Sequence, residues 1–124
     1  MANELILIVE DNPKNLKLVR DVLQVRGYRT IEAGTGEEGV QSAREQQPAL
    51  VLMDIQLPGI SGVEAFLQLR ADPATRAIPV IAVTASVMAQ ERQKVMAAGF
   101  DGFQGKPISV RELLETVRTL LDKR

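Results

Sequence analysis

The sequence predicts a doubly wound α/β fold, in which five helices cover a parallel sheet of five strands. Short apolar runs at residues 5–9, 50–53 and 79–83 have the length and composition of strands that are buried on both faces. Between these runs lie segments whose apolar residues recur at helical spacing, several of them opened by a capping residue. Strands that alternate with helices favour a parallel sheet with helices on both of its faces.

The first strand, residues 5–9, leads into a well-marked helix. Asn12 suits the N-cap and Pro13 the first helical position, and the helix is expected to run to about residue 26, where Gly27 supplies a left-handed end. Leu18 and Val25 lie off the apolar stripe, so we expect some apolar surface to stay exposed. The inward stripe itself consists of Leu16, Val19, Val22 and Leu23.

A second strand over residues 28–33 alternates in character and is expected to be less buried than the first. Thr35 and Glu38 form a capping box that opens a helix to about residue 45. Because this helix contains Gly39 and has a thin apolar face, we expect it to be the weakest helix of the fold. The third strand follows and ends abruptly at Asp54.

The third and fourth helices stand on either side of the fourth strand. Ser61 and Glu64 form the capping box of the third helix, whose expected inward residues are Val63, Phe66 and Leu67. Ser86 is the expected cap of the fourth helix, over about residues 87–98, and Gly99 is its expected stop.

The fifth strand, residues 100–105, is weak by composition and is predicted from its place in the alternation. Ser109 and Glu112 form a third capping box and open the last helix. That helix has a strong apolar face, made of Val110, Leu113, Leu114, Val117, Leu120 and Leu121.

Length, composition and charge exclude several classes of function. With 124 residues, 45% hydrophobic and 25% charged, the chain is expected to form one domain, residues 1–124. A formal net charge of −1 predicts no binding to nucleic acid or to an acidic membrane surface. The absence of cysteine and histidine excludes disulfides, thiolate catalysis, and the usual general base and zinc ligand. With no signal peptide or membrane-spanning run recognised, a cytoplasmic location is expected.

Polar side chains stand where the apolar strands end. Glu10 and Asp11 follow the first strand, Asp54 ends the third, Thr84 follows the fourth and Lys106 follows the fifth. In an open parallel sheet, ligands bind at the carboxyl ends of the strands, near the point where the strand order reverses. A lone aspartate after a strand most often caps a turn, but five polar residues at one edge predict a shared crevice.

The expected crevice holds three carboxylates and one ammonium group, a net negative charge that a divalent cation would neutralise. Hard oxygen ligands, too few to enclose Ca²⁺, favour Mg²⁺. Without a Ser–His pair or a cysteine, the remaining nucleophile is Asp54, which would form an aspartyl phosphate. Lys106 and Mg²⁺ would stabilise charge on the transferred phosphoryl group, and Thr84 would donate a hydrogen bond to it.

Together these motifs resemble the receiver domain of two-component response regulators, over the whole chain. The resemblance is carried by four segments, with the sequences VEDN at residues 9–12, MDIQLPG at 53–59, VTA at 83–85 and KP at 106–107. It is strongest toward stand-alone, single-domain members. The resemblance implies a flavodoxin-like, CheY-like fold with strand order 2-1-3-4-5.

The resemblance also implies a role for each residue of the crevice. Asp54 would accept a phosphoryl group from a sensor histidine kinase or a histidine phosphotransfer protein. The domain would then not be a conventional enzyme, because it catalyses only its own phosphoryl transfer and slow dephosphorylation. Asp11, Asp54 and the backbone carbonyl of Gln56 would bind Mg²⁺ directly, with Glu10 acting through water.

By the same resemblance, Thr84 and Phe103 would form a switch pair. Thr84 would move toward the phosphoryl group and Phe103 would turn into the space released, by a shift between populations that already exist. The Lys106–Pro107 peptide is expected to be cis. A downstream protein would bind the face of the fourth helix, fifth strand and fifth helix, with the candidates Val87, Met88, Glu91 and Lys94.

Further expectations concern partners. Asn15 and Leu18 are expected to contact the phosphodonor protein, and Gln56 and Ser86 to tune the access of water to the phosphoryl group. Neither a helix-turn-helix nor a basic patch is recognised, so no direct contact with DNA is expected. The domain is expected to be a monomer or a weak dimer.

Two other functions use the same residues. A phosphatase or phosphotransferase of the haloacid-dehalogenase kind also has an aspartate nucleophile and Mg²⁺. It normally carries a second aspartate two residues after the nucleophile, where this chain has Gln56. The other alternative is an interaction module that is never phosphorylated, against which the complete set of acids, threonine and lysine argues.

Overall fold

The computed structural model describes residues 3–85 and 89–123 of the chain. Strands and helices alternate throughout these described residues. Their bounds are β1 (Leu5–Val9), α1 (Pro13–Val25), β2 (Arg29–Ala33), α2 (Gly36–Gln46), β3 (Leu50–Asp54), α3 (Gly62–Ala71), β4 (Val80–Thr84), α4 (Ala89–Ala97), β5 (Gly102–Gly105) and α5 (Val110–Asp122).

The strands form one sheet in the order β2-β1-β3-β4-β5, and every neighbouring pair is parallel. The predicted fold class and strand order are therefore confirmed. The order reverses between β1 and β3, which lie side by side with Val9 opposite Met53. The carboxyl ends of these two strands accordingly form the topological switch point, where ligands of this class of fold bind.

Alternate residues of the central strands face opposite sides of the sheet and build two separate cores. Ile6 and Ile8 of β1 pack on the α1 and α5 side, whereas Leu7 and Val9 pack on the side of α2, α3 and α4. Strands β3 and β4 are buried along their whole length, as predicted for strands covered on both faces. Half-buried β2 forms one edge of the sheet.

Helix α1 has the ends that the sequence predicts. The side chain of Asn12 accepts hydrogen bonds from the backbone N–H groups of Lys14 and Asn15, at 2.9 and 3.3 Å. Gly27 has a φ of 92°, which suits a left-handed stop after the helix. The expected apolar surface is present as well, since Leu18 is 40% exposed and Val25 is 84% exposed.

The inward face of α3 differs from the prediction at one residue. Phe66 is fully buried, but Leu67 is 51% exposed, so its expected burial was wrong. The buried residues are Gly62, Ala65, Phe66 and Leu69. They follow the i, i+3, i+4, i+7 spacing of a single helix stripe, and Leu67 lies about 100° away from Phe66 around the helix. The sequence pattern did not reveal this stripe, because two of its four residues, Gly62 and Ala65, have little or no side chain.

Glycine in α2 has a packing role that its low helix propensity does not reveal. A Cβ atom on Gly39 would stand 2.8 Å from Cγ2 of Val9, so this glycine lets α2 approach β1 closely. The weakness expected of α2 stays a prediction. In α4, Gly99 has a φ of 109° after the last turn, as expected of a stop, whereas Ser86, the predicted cap, lies outside the described residues.

Gly62 generates a stability prediction, because its Cβ would meet backbone rather than a movable side chain. That atom would stand 2.7 Å from the Cα of Ile55 and closer still to the carbonyl oxygen of Asp54. We expect Gly62→Ala to lower the free energy of unfolding by at least about 2 kcal/mol in urea titrations. Gly34→Ala is the matched control, since no described atom beyond its chain neighbours lies within 4 Å of its Cβ position. The control should be neutral or slightly stabilising, and equal effects of the two variants would contradict the prediction.

Candidate functional site

The predicted site residues lie at the carboxyl edge of the sheet. Asp54 is the last residue of β3 and Thr84 the last of β4, and they are only 2% and 3% exposed. Glu10 directly follows β1 and is 5% exposed, and Lys106 directly follows β5. The fold thus positions these side chains through strand ends alone, with no contribution from a long loop.

Lys106 joins two of the acids. Its Nζ atom lies 3.0 Å from Oε1 of Glu10 and 3.0 Å from Oδ2 of Asp54. Its backbone N–H donates to the carbonyl oxygen of Thr84 at 2.9 Å, which holds the start of the Lys106 segment against β4. The Lys106–Pro107 peptide is cis, as predicted. One ammonium group therefore connects the ends of β1, β3 and β5.

Each buried carboxylate also accepts a backbone hydrogen bond at its second oxygen. Oδ1 of Asp54 accepts from the N–H of Gln56 at 3.0 Å, and Oε2 of Glu10 accepts from the N–H of Asn12 at 3.2 Å. These donors belong to the turns that follow β3 and β1. The turns consequently fix the orientation of both carboxylates, and both carboxylates meet the rule that buried charges are paired and hydrogen-bonded.

The electrostatics of the crevice show an excess of negative charge. Burial raises the pKa of Glu10 to about 7, and the adjacent Asp54 contributes to the rise, while Lys106 and the N–H of Asn12 oppose it. Burial acts to lower the pKa of Lys106, but hydrogen bonds to Asp54 and Glu10 outweigh it and raise that pKa. A single cation therefore does not compensate the buried acids.

A third acid completes a group that fits a metal ion. Carboxylate oxygens of Glu10, Asp11 and Asp54 all lie within 4.8 Å of one another. Asp11 is exposed, so the group opens to solvent on one side. Hard oxygen ligands with an open side suit Mg²⁺, which retains several water molecules. Gln56, the fourth predicted ligand, is placed at the same crevice by its hydrogen bond to Asp54.

The proposed switch residues share one face of the sheet. Phe103 pairs with Ala82 in the β4–β5 ladder, and Thr84 lies two residues beyond Ala82, so both side chains are on the α4 side. The guanidinium carbon of Arg92 stands 4.9 Å from the centroid of the half-buried Phe103 ring. Sequence reasoning missed Arg92. Its position three residues before Val95, a buried residue of α4, is the signal that places it near β5.

The remaining predicted residues belong to the candidate contact surfaces on α1 and α4. Leu18 is exposed and Asn15 half-buried on α1, while Glu91 and Lys94 are exposed on α4 and form an ion pair at 4.0 Å. Three further candidates, Ser86, Val87 and Met88, lie outside the described residues.

Comparison with known proteins identifies the family. The family model for the response regulator receiver domain matches residues 6–118. This chain is a response regulator receiver domain. It is 45% identical over 116 residues to the polar-differentiation response regulator DivK of Brucella ovis, and the match covers 94% of each chain. DivK of Brucella abortus is equally similar. The predicted family and the resemblance to stand-alone receivers of the DivK kind are thus confirmed.

Solved receiver structures have the same architecture. The receiver domain of a sensor histidine kinase from Pseudomonas aeruginosa PAO1 is 32% identical, covers 97% of this chain and 98% of its own, and superposes with a TM-score of 0.90. That structure holds a magnesium ion in its active site cleft. A response regulator from Chloroflexus aurantiacus is 28% identical, with a TM-score of 0.92 and coverage of 97% and 98%.

Family membership decides between two of the functions that the sequence left open. A receiver domain belongs to two-component signalling and has a histidine kinase or phosphotransfer protein as its partner, which sets the haloacid-dehalogenase alternative aside. Within residues 3–85 and 89–123, no helix combines the length and hydropathy needed to cross a membrane.

The bridging ammonium group of Lys106 yields a prediction for protein without metal. Lys106→Met keeps the length of the side chain but leaves Glu10 and Asp54 without their cation. We expect the free energy of unfolding at pH 8 to fall by about 2–4 kcal/mol, because a buried charge pair loses one partner. Urea titrations in a chelator measure this.

The loss in Lys106→Met should depend on pH in a defined direction. Glu10 already has a folded pKa of about 7, above its ordinary value of 4.5, and removal of Lys106 raises it further. A raised carboxyl pKa costs stability as the pH climbs past the unfolded value, so the deficit should grow from pH 6 to pH 8. Lys17→Met, at an exposed ion pair with Asp21, should change little. A deficit that shrinks toward pH 8 would contradict this electrostatic account.

Proposed function

We propose that this receiver domain is a phosphorylation-dependent switch in which Asp54 accepts a phosphoryl group from a histidine kinase or a histidine phosphotransfer protein. The observation that carries the proposal is the contact of Lys106 with both Asp54 and Glu10 inside one crevice. A carboxylate that is buried, oriented by a backbone N–H and accompanied by a cation is suited to nucleophilic attack on phosphorus.

In the proposed reaction, a carboxylate oxygen of Asp54 attacks the phosphorus atom of a phosphohistidine. The new O–P bond forms as the P–N bond breaks, and the electron pair of that bond stays with the departing imidazole. Lys106 stabilises the negative charge on the phosphoryl oxygens, and Thr84 donates a hydrogen bond to one of them. Slow hydrolysis of the acyl phosphate returns the carboxylate, with Gln56 and Ser86 tuning the access of water.

The same residues provide for a magnesium ion. Asp11, Asp54 and the backbone carbonyl of Gln56 would bind the ion directly, and Glu10 would act through water. When bound, Mg²⁺ supplies positive charge that stabilises the oxygens of the transferred phosphoryl group. The close approach of the three carboxylates and the raised pKa of Glu10 support this assignment.

Phosphorylation changes the charges that Lys106 and Thr84 meet. Lys106 gains a phosphoryl partner, Thr84 moves toward that group, and Phe103 turns into the space that is left. The result is a shift in population between two arrangements of the α4, β5 and α5 face. Exposed Glu91 and Lys94 are candidates for contact with a downstream protein. Val87 and Met88, which lie outside the described residues, are proposed as further candidates.

Partner binding completes the proposal. Leu18 is exposed on α1, and with Asn15 it would contact the phosphodonor protein beside the crevice. We further propose a cytoplasmic site of action, where a kinase obtains ATP, a monomer or weak dimer, and no contact with nucleic acid. Within residues 1–124 we propose one receiver domain, whose signal passes through the proteins that bind it.

Substitution of Asp54 tests the phosphoacceptor. Purified Asp54→Asn, offered acetyl phosphate with Mg²⁺, should incorporate no hydroxylamine-sensitive phosphate, because an amide lacks the nucleophilic oxygen. The unsubstituted protein should be labelled, and so should Asp21→Asn, which changes an exposed aspartate of α1. Circular dichroism checks that all three proteins are folded.

Two results would overturn the Asp54 assignment. Undiminished labelling of folded Asp54→Asn places the acceptor elsewhere. Failure of the unsubstituted protein to be labelled, by acetyl phosphate and by a phosphorylated phosphotransfer domain alike, favours the interaction module that is never phosphorylated.

Asp11 allows a test of the metal site with little risk to the fold, because its side chain is exposed. We expect Asp11→Asn to weaken Mg²⁺ binding by about tenfold or more in isothermal titration calorimetry, since it removes one charged oxygen ligand. Glu45→Gln, an exposed acid on α2, is the control and should bind Mg²⁺ as the unsubstituted protein does. Equal affinities for Asp11→Asn and the control would remove Asp11 from the site.

A further inference from the structure

The ring of Phe103 has a charged neighbour. The guanidinium carbon of Arg92, on α4, lies 4.9 Å from the ring centroid, within the range of a cation–π interaction. Arg92 is exposed and has no ion pair with any residue of 3–85 or 89–123. Within the described part of the chain, the Phe103 ring is thus the partner of the Arg92 guanidinium. Lys94, on the same helix, instead pairs with Glu91 at 4.0 Å.

Among residues 3–85 and 89–123, no side chain crowds Gly105, which lies two residues after Phe103 on β5. Gly105 stands opposite Thr84 in the β4–β5 ladder, and both face the same side of the sheet as Phe103. No described atom lies within 4 Å of the position that a Cβ on Gly105 would take. A ring that leaves Arg92 can therefore move along β5 toward Thr84 without meeting a side chain at Gly105.

We infer that Arg92 is a positioning residue for Phe103, which holds the ring in the unphosphorylated arrangement and so sets how readily the domain switches. The inference rests on the proposed function, in which Phe103 moves when Asp54 is phosphorylated. On this inference, the turn of the ring toward Thr84 carries it away from the Arg92 guanidinium and breaks the cation–π contact. The contact consequently stabilises one arrangement only, which is the condition for shifting a two-state equilibrium.

The expected size of the effect follows from the contact. A cation–π interaction at an exposed position changes an equilibrium by about two- to five-fold. Loss of the contact should make the switched arrangement that much more accessible. The direction of the change separates this inference from simple electrostatics. Removal of a positive charge near an anion site would weaken anion binding, whereas loss of the contact between Arg92 and Phe103 should strengthen it.

Fluorine NMR can follow Phe103 because the chain has few phenylalanines to label. The chain contains three phenylalanines, so protein labelled with 4-fluorophenylalanine gives three fluorine signals, and Phe103→Leu identifies the one from Phe103. Beryllofluoride, which mimics a phosphoryl group on an aspartate, is titrated in the presence of Mg²⁺. The position of the Phe103 signal and the midpoint of its change report the switch.

In Arg92→Gln we expect the midpoint to fall about two- to five-fold, with the Phe103 signal displaced toward its saturated position before beryllofluoride is added. Arg92→Lys should recover part of the effect, because an ammonium group also attracts the ring. Arg76→Gln, which removes another exposed arginine, should behave as the unsubstituted protein does. In a Phe103→Leu background, followed by calorimetry, Arg92→Gln should no longer lower the midpoint.

The outcomes distinguish this inference from the function on which it rests. A normal response of the unsubstituted protein, with an unchanged or higher midpoint in Arg92→Gln, overturns the role of Arg92 alone. Persistence of the Arg92→Gln effect without Phe103 does the same, because the arginine then acts by another route. Absence of any response to beryllofluoride in the unsubstituted protein overturns the proposed function, and the positioning role with it.

Discussion

The geometry of the crevice depends on one interaction, the contact of the Lys106 ammonium group with two buried carboxylates, each at 3.0 Å. Glu10 and Asp54 come together because β1 and β3 are neighbours at the point where the strand order reverses. Two buried acids at that point repel each other and resist desolvation. Lys106 follows β5, on the far side of β4, and its positive charge offsets part of the desolvation cost of the two carboxylates.

The crevice holds three acids and one lysine, so negative charge is in excess. This excess suits the crevice to bind a further cation. Burial is the main cause of the raised pKa of about 7 at Glu10, and Asp54 adds to it, so the contact with one lysine does not return this carboxyl to its ordinary pKa. The crevice therefore favours added cations such as Mg²⁺. A phosphoryl group on Asp54 brings new negative charge to Lys106, so the lysine must divide its contacts differently. In the proposed switch, this change of partner at one ammonium group is the driving force for movement at the ends of β4 and β5.

The sequence was sufficient for the features that depend on local pattern, namely the strands, the N-caps of α1, α2, α3 and α5, and the polar residues at the strand ends. It was misleading where burial depends on small residues, as in α3, where Ala65 rather than Leu67 faces the core. Close approaches, such as Gly39 against Val9, arise only from tertiary packing. The pairing of Arg92 with Phe103 also arises from tertiary packing, because it joins a helix to a strand, and the sequence offers only the helical spacing of Arg92 from Val95.

The anchoring of β5 is uneven along its length, and this explains how a weak contact can set the switch. Before the strand begins, Phe100 stacks on Phe66 at 4.0 Å, and Asp101 accepts hydrogen bonds from Arg70 at 2.5 Å and from the N–H of Val80 at 2.8 Å. Phe103 is only half-buried, and no described atom lies within 4 Å of the Cβ position of the nearby Gly105. The proposed movement is therefore expected at the end of β5 nearest the crevice. Under the inferred role of Arg92, loss of its single cation–π contact there would shift the balance between the two proposed arrangements about two- to five-fold.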